Sequence, residues 1–151
     1  MGEQPSPDRK AAAMSLVISQ LAIDCADPYA LAQWWARVLE WDLAYDPTPE
    51  DDEVSIVPAD RSDEWIFLKV PEVKTLKNRL HVDFRPANDT DQDTELARLL
   101  DLGATRVDVG QGDVAWHVLA DPEGNEFCLL RGTPSQAAAA LAAELEDNAE
   151  S

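Results

Sequence analysis

The sequence predicts an α+β fold in which one βαβββ unit occurs twice. A strand followed by an amphipathic helix recurs at an offset of 61 residues, and three short strand candidates follow each helix. The aligned pairs include Gln20 with His81, Trp35 with Leu96 and Val38 with Leu99. The repeat divides one domain, residues 15–132, into modules at 15–72 and 78–131.

The first module begins with alternating residues at 15–25, a pattern typical of a strand. Asp27 and Pro28 follow, an N-cap residue and a proline suited to the first helical position. One face of the predicted helix carries Leu31, Trp35, Val38 and Leu39. The three strand candidates after it are residues 42–45, 53–57 and 65–70.

The second module repeats this order from a strand at 79–86. Residues 88–90 supply capping side chains, and Gly103 stands where a left-handed C-terminal cap belongs. The apolar helix face is Leu96, Leu99 and Leu100, and the strand candidates are 105–109, 114–119 and 126–130. The sequence Asp-Pro-Glu-Gly at 121–124 predicts a turn between the last two strands.

The two ends of the chain are expected to lie outside the domain. Residues 1–14 lack any apolar period and are predicted to be disordered. The C-terminal segment 133–151 is rich in Ala and Glu, and we expect a helix at 137–145 followed by a frayed acidic tail.

Charge and cysteine usage restrict the partners and the compartment. The net charge of −18 disfavours binding to nucleic acid or to anionic membrane surfaces. The sequence contains neither a membrane-spanning apolar run nor a secretory signal. Cys25 and Cys128 match no zinc or redox spacing, so a cytoplasmic protein with free thiols is predicted.

Strand parity predicts which side chains face a cavity. Side chains alternate across a strand, so His81, Asp83 and Arg85 share a face opposite Leu80, Val82 and Phe84. In the last strand, Glu126 and Cys128 share a face opposite Phe127 and Leu129. The apolar faces are expected to pack under the helices, and the mixed faces to look toward solvent or a cavity.

Four segments in order resemble the glyoxalase-like branch of the vicinal oxygen chelate superfamily. They are CADPYALAQWWARVLEW, KNRLHVDF, ELARLLDLGA and ADPEGNEFCLL, and the resemblance covers roughly residues 15–131. It implies the vicinal oxygen chelate fold, in which two modules form curled mixed sheets around a pocket. It also implies that the protein pairs as a homodimer.

The resemblance places four metal-ligand positions at Gln20, Leu68, His81 and Cys128. Divalent ions of this family want several N or O donors, but only His81 is a good match and Leu68 cannot ligate. We therefore expect no metal and no other cofactor. An alternative metal site could be built from Asp24, Asp83 or Glu126, which lie on the same strand faces.

The remaining pocket residues are expected to bind a ligand. Trp65 and Trp116 lie on strand candidates and could stack on a flat molecule, although a core position is the favoured interpretation of each. Gln111 lies in a glycine-rich loop expected at the pocket rim. The full set of ligand-binding candidates is Gln20, Trp65, Leu68, Arg85, Trp116, Glu126 and Cys128.

Two functions follow from this set. The first is a metal-independent protein that binds a small, partly aromatic organic molecule between its modules, in a sequestration or resistance role. The second is a lyase, isomerase or cyclase that uses His81 and Asp83 as catalytic residues for proton transfer. Alternatively, His81 has a purely structural role and only forms hydrogen bonds with polar neighbours.

Overall fold

A computed structural model describes residues 15–150 of the chain. They form two compact units, with residues 25–27 grouped with the second unit and the break between the units after Lys69. The predicted disordered segment 1–14 lies outside the described residues. None of the helices in the described part of the chain is long and apolar enough to cross a membrane.

The first unit contains one helix and four strands. These are β1 (Leu21–Cys25), α1 (Pro28–Leu39), β2 (Asp42–Leu43), β3 (Glu53–Val57) and β4 (Trp65–Lys69). The strands form one sheet in the order β1-β4-β3-β2. Both β2 and β4 run antiparallel to β3.

The second unit repeats this topology and adds a C-terminal helix. Its elements are β5 (Asp83–Phe84), α2 (Gln92–Leu102), β6 (Thr105–Arg106), β7 (His117–Ala120), β8 (Glu126–Leu129) and α3 (Pro134–Ala149). The sheet order is β5-β8-β7-β6, with β5 parallel to β8 and the other pairs antiparallel. The prediction of an α+β fold with two βαβββ units is confirmed.

The helices follow the sequence signals at most of their ends. Helix α1 begins at Pro28, and its buried face packs with Trp65, whose ring centroid lies 5.2 Å from that of Trp35. Helix α2 ends at Gly103, which adopts the predicted left-handed conformation with φ 111°. Its N-cap is Asp91 rather than a residue at 88–90, because the Asp91 carboxylate accepts the Thr94 N–H.

The first strand of each module is shorter than predicted because the neighbouring strand in its sheet does not extend as far. In β1 the ladder starts where the Leu21 N–H donates to the Glu64 carbonyl, just before β4. In β5 Asp83 lies opposite Cys128, so residues before His81 extend past the start of β8. Leu80 consequently stays 91% exposed, and the prediction that it packs under a helix is wrong.

Several other elements begin or end at residues that differ from the prediction. Strands β2 and β6 contain two residues each, and β7 begins at His117 because its partner β8 ends at Leu129. Trp116 therefore lies in a loop and not on a strand. Helix α3 is longer than predicted, because Thr133 and Gln136 form a capping box before the Ala-rich stretch. Most of the expected acidic tail is helical.

Candidate functional site

The second unit contains a cavity of about 350 Å³. Strands β5, β7 and β8 form its floor, and two irregular segments complete it. We call residues 70–82, which hold neither helix nor strand, the strap, and residues 107–116 the rim loop. The polar lining residues are Lys77, His81, Asp83, Gln111 and Glu126, and the apolar ones are Val109, Trp116, Val118, Cys128 and Leu130.

Strand β8 organises the floor because it pairs on both sides. Cys128 lies opposite Asp83 of β5 and Val118 of β7. Opposed residues on neighbouring strands point to the same face, which brings these three side chains together. Glu126 and Leu130, two residues either side of Cys128, also line the cavity, whereas Phe127 and Leu129 are buried on the other face.

Asp83 is the centre of a small hydrogen-bonded cluster. Its Oδ1 lies 2.9 Å from His81 Nδ1, and its carboxylate lies within 4.8 Å of the Cys128 sulfur. Both His81 and Asp83 are partly open to solvent. A neutral imidazole that donates its Nδ1–H to Asp83 leaves Nε2 as an acceptor for a ligand or a proton.

The Cys128 thiol is kept protonated by its surroundings. Burial raises its pKa above the ordinary 9.0, and the nearby Asp83 carboxylate raises it further, against a smaller opposing effect of Lys77. The thiolate is the nucleophilic form of cysteine. Cys128 therefore forms part of the cavity wall and is not an activated nucleophile.

Glu126 fixes the strap to β8. Its two carboxylate oxygens accept hydrogen bonds from Lys74 Nζ and from the Asn78 N–H, each at 2.9 Å. Burial raises the pKa of Glu126, but the hydrogen bonds from Asn78 and Lys74 outweigh this effect and leave the pKa below its ordinary value. The strap carries Lys77 and His81, so this attachment holds both of them at the cavity.

The rim loop turns at two glycines. Gly110 and Gly112 have φ values of 85° and 68°, a region that side chains disfavour. Between them, Gln111 accepts the Val109 N–H through its Oε1 and lines the cavity. At the far end of the loop, Gln92 of α2 donates to the carbonyls of Ala115 and Leu129. The loop that contains Trp116 is therefore attached to both the helix and the sheet.

A family comparison identifies this architecture. Residues 20–130 match the family model described as the glyoxalase-like domain, which spans most of the chain and both βαβββ units. This chain belongs to the glyoxalase-like domain family. A search of curated proteins found no match to it.

Several solved structures share the fold of this glyoxalase-like domain. A fosfomycin resistance protein, FosX, from Listeria monocytogenes has a TM-score of 0.60 at 15% identity, covering 82% of this chain and 98% of its own. FosX from Mesorhizobium loti has a TM-score of 0.59 at 17% identity, covering 83% and 99%. The oxidase ChaP-H2 has a TM-score of 0.56 at 15% identity, covering 80% and 98%. These likenesses show the vicinal oxygen chelate fold.

The structure brings some of the candidate residues of the glyoxalase-like domain together. His81, Asp83, Trp116, Glu126 and Cys128 all line the cavity. Arg85 instead donates from Nη1 to the Gly132 carbonyl at 3.1 Å, where it supports the start of α3. The pocket expected between the two modules stays a prediction, since the cavity described here lies within the second.

The other three candidates belong to the first unit. Gln20 is exposed and precedes β1, and Leu68 is half-buried on β4. Trp65 is buried in an aromatic cluster with Trp35 and Trp41. Within this unit Trp65 is a core residue, which was the second of the two readings of its sequence position.

Sequence reasoning missed Lys74, Lys77, Asn78 and Val109. All four lie in irregular segments, where periodicity gives no signal. Their roles depend on which segment the sheet holds nearby, a tertiary property. The proximity of Lys77 to the predicted His81 is the one signal in the sequence that pointed to this neighbourhood.

The donor set does not fit the oxygen-preferring metals of this fold family. Donor atoms of His81, Asp83 and Cys128 all lie within 4.8 Å of one another, so their spacing would permit one ion. A sulfur ligand must first lose its proton, however, and burial together with Asp83 raises the pKa of this thiol. Sulfur also suits softer metals, and Leu68 supplies no donor at all. We derive no chemical step through a metal.

Proposed function

We propose that this glyoxalase-like domain binds a small, partly aromatic organic molecule in the cavity of its second module, in a sequestration or resistance role and without a metal. The observation that carries this proposal is Trp116. Its side chain is 40% exposed yet lines a cavity of about 350 Å³, beside a cluster of polar groups. Apolar pockets with a few polar groups are typical of small-molecule sites.

The cavity lining suits two parts of one ligand. It includes Val109, Val118 and Leu130 as well as Trp116, so a flat ring would bury apolar surface and stack on the indole. It also includes His81 Nε2 and the amide of Gln111, which offer hydrogen bonds that would orient a polar substituent.

Metal independence is part of the proposal. The Listeria FosX has been solved with Mn(II) and a sulfate ion, and Mn(II) is an oxygen-preferring ion. In the present chain burial and Asp83 raise the pKa of the Cys128 thiol, which disfavours the thiolate that a metal needs, and Asp83 is already hydrogen-bonded to His81. Binding therefore rests on stacking and hydrogen bonds.

A screen of aromatic fragments by ligand-observed NMR tests this function. We expect several fragments to bind, and Trp116→Ala to weaken them roughly tenfold to a hundredfold through lost stacking and burial. The matched control is Tyr45→Ala, which removes an exposed aromatic side chain from the first unit. A screen without binders, or binders that tolerate Trp116→Ala, would contradict the proposal.

A second candidate is an enzyme, a lyase, isomerase or cyclase that transfers a proton. The 2.9 Å hydrogen bond between His81 and Asp83 favours it, because a carboxylate on Nδ1 orients the ring and leaves Nε2 to exchange a proton with a substrate. His81→Gln separates the two functions once a ligand is known. An enzyme would lose nearly all turnover and still bind, whereas a binder would have no turnover and weaken about tenfold or less.

We expect the protein to lie in the cytoplasm and to bind neither nucleic acid nor membranes. Cys25 and Cys128 are both buried and form no disulfide, which is consistent with the cytoplasmic location expected from the sequence. The net charge of −18 argues against a nucleic acid partner and against an anionic membrane surface. We also propose that the protein is a homodimer.

A further inference from the structure

Basic side chains gather on the strap, which supplies part of the cavity lining. Three of the 12 Lys and Arg residues of the chain, Lys74, Lys77 and Arg79, belong to it. Glu72 is its one acidic residue, so the strap has a net charge of +2 in a chain whose net charge is −18. A local positive charge beside a cavity raises the concentration of anions there, although the protein as a whole repels them.

Lys77 differs from the neighbouring Lys74 in its partners. Lys74 forms an ion pair with Glu126 at 2.9 Å. Lys77 lines the cavity, and in the part of the chain that the structure describes no carboxylate lies within ion-pair distance of its Nζ. Its Nζ donates instead to the Asn78 carbonyl, a neutral acceptor, at 3.1 Å. An ammonium has more than one N–H donor, so Lys77 can also donate to a ligand.

The positive charge of Lys77 acts at the floor of the cavity. Burial and the Asp83 carboxylate raise the pKa of the Cys128 thiol, and the Lys77 ammonium opposes them. Cys128 lies on β8, the strand that pairs on both sides within the floor. A negative group bound over this strand would therefore meet the charge of Lys77.

The two carboxylates of the cavity lining already have donors. Glu126 accepts hydrogen bonds from Lys74 and from the Asn78 N–H, and Asp83 is hydrogen-bonded to His81. Lys77 is consequently the charged lining residue whose counter-charge a ligand would supply. Like charges brought together are costly, so these two carboxylates disfavour a ligand with more than one negative charge.

We propose that the molecule bound in this cavity is an aromatic carboxylate, whose single negative charge pairs with Lys77 while its ring packs against Trp116. This assignment rests on the proposed function, since it names the ligand class of the same site. Lys77 would distinguish a carboxylate from a neutral amide of the same shape through a charge-assisted hydrogen bond. Because Lys77 is exposed, we expect a modest preference that salt weakens.

The test compares the affinities of two matched probes, 1-naphthoate and 1-naphthamide, by isothermal titration calorimetry at pH 7 and low salt. Lys77→Met keeps the apolar stem and removes the charge. It should weaken 1-naphthoate roughly twofold to tenfold and leave 1-naphthamide unchanged, whereas Lys77→Arg should retain most of the affinity for 1-naphthoate. The matched control is Lys69→Met, which removes the same charge from an exposed position of the first unit and should change neither affinity.

The outcomes separate this assignment from the proposed function. Circular dichroism confirms that each variant is folded. The carboxylate assignment alone is overturned if Lys77→Met weakens both probes equally or neither, or if wild type binds 1-naphthylphosphonate more tightly than 1-naphthoate. The proposed function fails as well if neither probe binds, or if Trp116→Ala binds both as tightly as wild type does.

Discussion

The Glu126 carboxylate and the Lys74 ammonium lie 2.9 Å apart, and this ion pair joins an irregular segment to the central strand of the second sheet. The other oxygen of Glu126 accepts the Asn78 N–H at the same distance. The side chain of Glu126 is 11% exposed, so these hydrogen bonds are largely shielded from water. One carboxylate thus sets the position of the strap at the cavity.

Glu126→Gln should lower the free energy of unfolding by about 1–3 kcal/mol, because a shielded ammonium loses its charged partner. The measurement is urea unfolding at pH 7. Glu95→Gln is the matched control, since it removes a carboxylate from the surface ion pair with Arg98 and should cost about 0.5 kcal/mol or less. Equal effects of the two substitutions would show that Glu126 does not hold the strap.

The same pair predicts a pH dependence. The pKa of Glu126 in the folded protein lies below its ordinary 4.5, so its ionised form stabilises the fold above that value. This stability is lost as the pH falls through the folded pKa. The difference in unfolding free energy between wild type and Glu126→Gln should therefore be largest near pH 7 and shrink below about pH 4.5. A difference that grows on acidification would contradict the assignment.

Asp83 should control the reactivity of Cys128. Burial and the Asp83 carboxylate both raise the pKa of the thiol, so alkylation by iodoacetamide at pH 8 should be slow compared with free cysteine. Asp83→Asn removes the charge with little change of shape, so the pKa should fall and the reaction should accelerate. The comparison is made with Cys25 replaced by Ser, and an unchanged or slower rate in Asp83→Asn would refute the cluster.

Glu123 should stabilise the entry to helix α1. Its carboxylate oxygens accept the N–H groups of Ala26 and Asp27 at 2.7 and 3.0 Å. Buried Asp121 holds the turn that presents it, by accepting the N–H groups of Glu123 and Asn125. Glu123→Ala should cost about 0.5–1.5 kcal/mol in thermal unfolding, as loss of an intramolecular hydrogen bond does. The same change at exposed Glu72 should cost nearly nothing.

The repeated strand and helix order could be predicted because periodicity is local. Leu31, Trp35 and Val38 had to share a helix face, and the structure buries all three. Strand length is not local. Residues 79 and 80 continue the alternation of a strand, but β8 begins at Glu126, opposite position 81, and offers them no partner.

The candidate site illustrates the same limit. Parity correctly grouped Glu126 with Cys128, since both lie on β8 and alternation is fixed by the strand itself. His81 lines the same cavity as Asp83 although it precedes β5. Parity could not distinguish Trp65 from Trp116, because both occupied strand candidates and only the packing of α1 makes Trp65 a core residue. Lys74 and Asn78 became visible as contacts of the site only when the fold placed the strap beside Glu126.

Protein purified without chelator should hold much less than one divalent ion per chain. Burial and Asp83 raise the pKa of the sulfur donor in the cluster, which disfavours the thiolate that a metal needs, and Leu68 provides no ligand. Elemental analysis of the purified protein checks this. One zinc, iron or manganese per chain would contradict metal independence, and loss of that ion in Cys128→Ala would assign it to the cluster with His81 and Asp83.

The central claim is that the cavity of the second module is the ligand site, and amide chemical shifts test it most directly. The ¹H–¹⁵N spectrum of the full chain is recorded while a fragment hit is added. We predict that the indole N–H of Trp116 and the backbone amides of Gln111 and Cys128 shift together, with one common affinity. Shifts confined to other residues, with these three signals unmoved at saturation, would contradict the account.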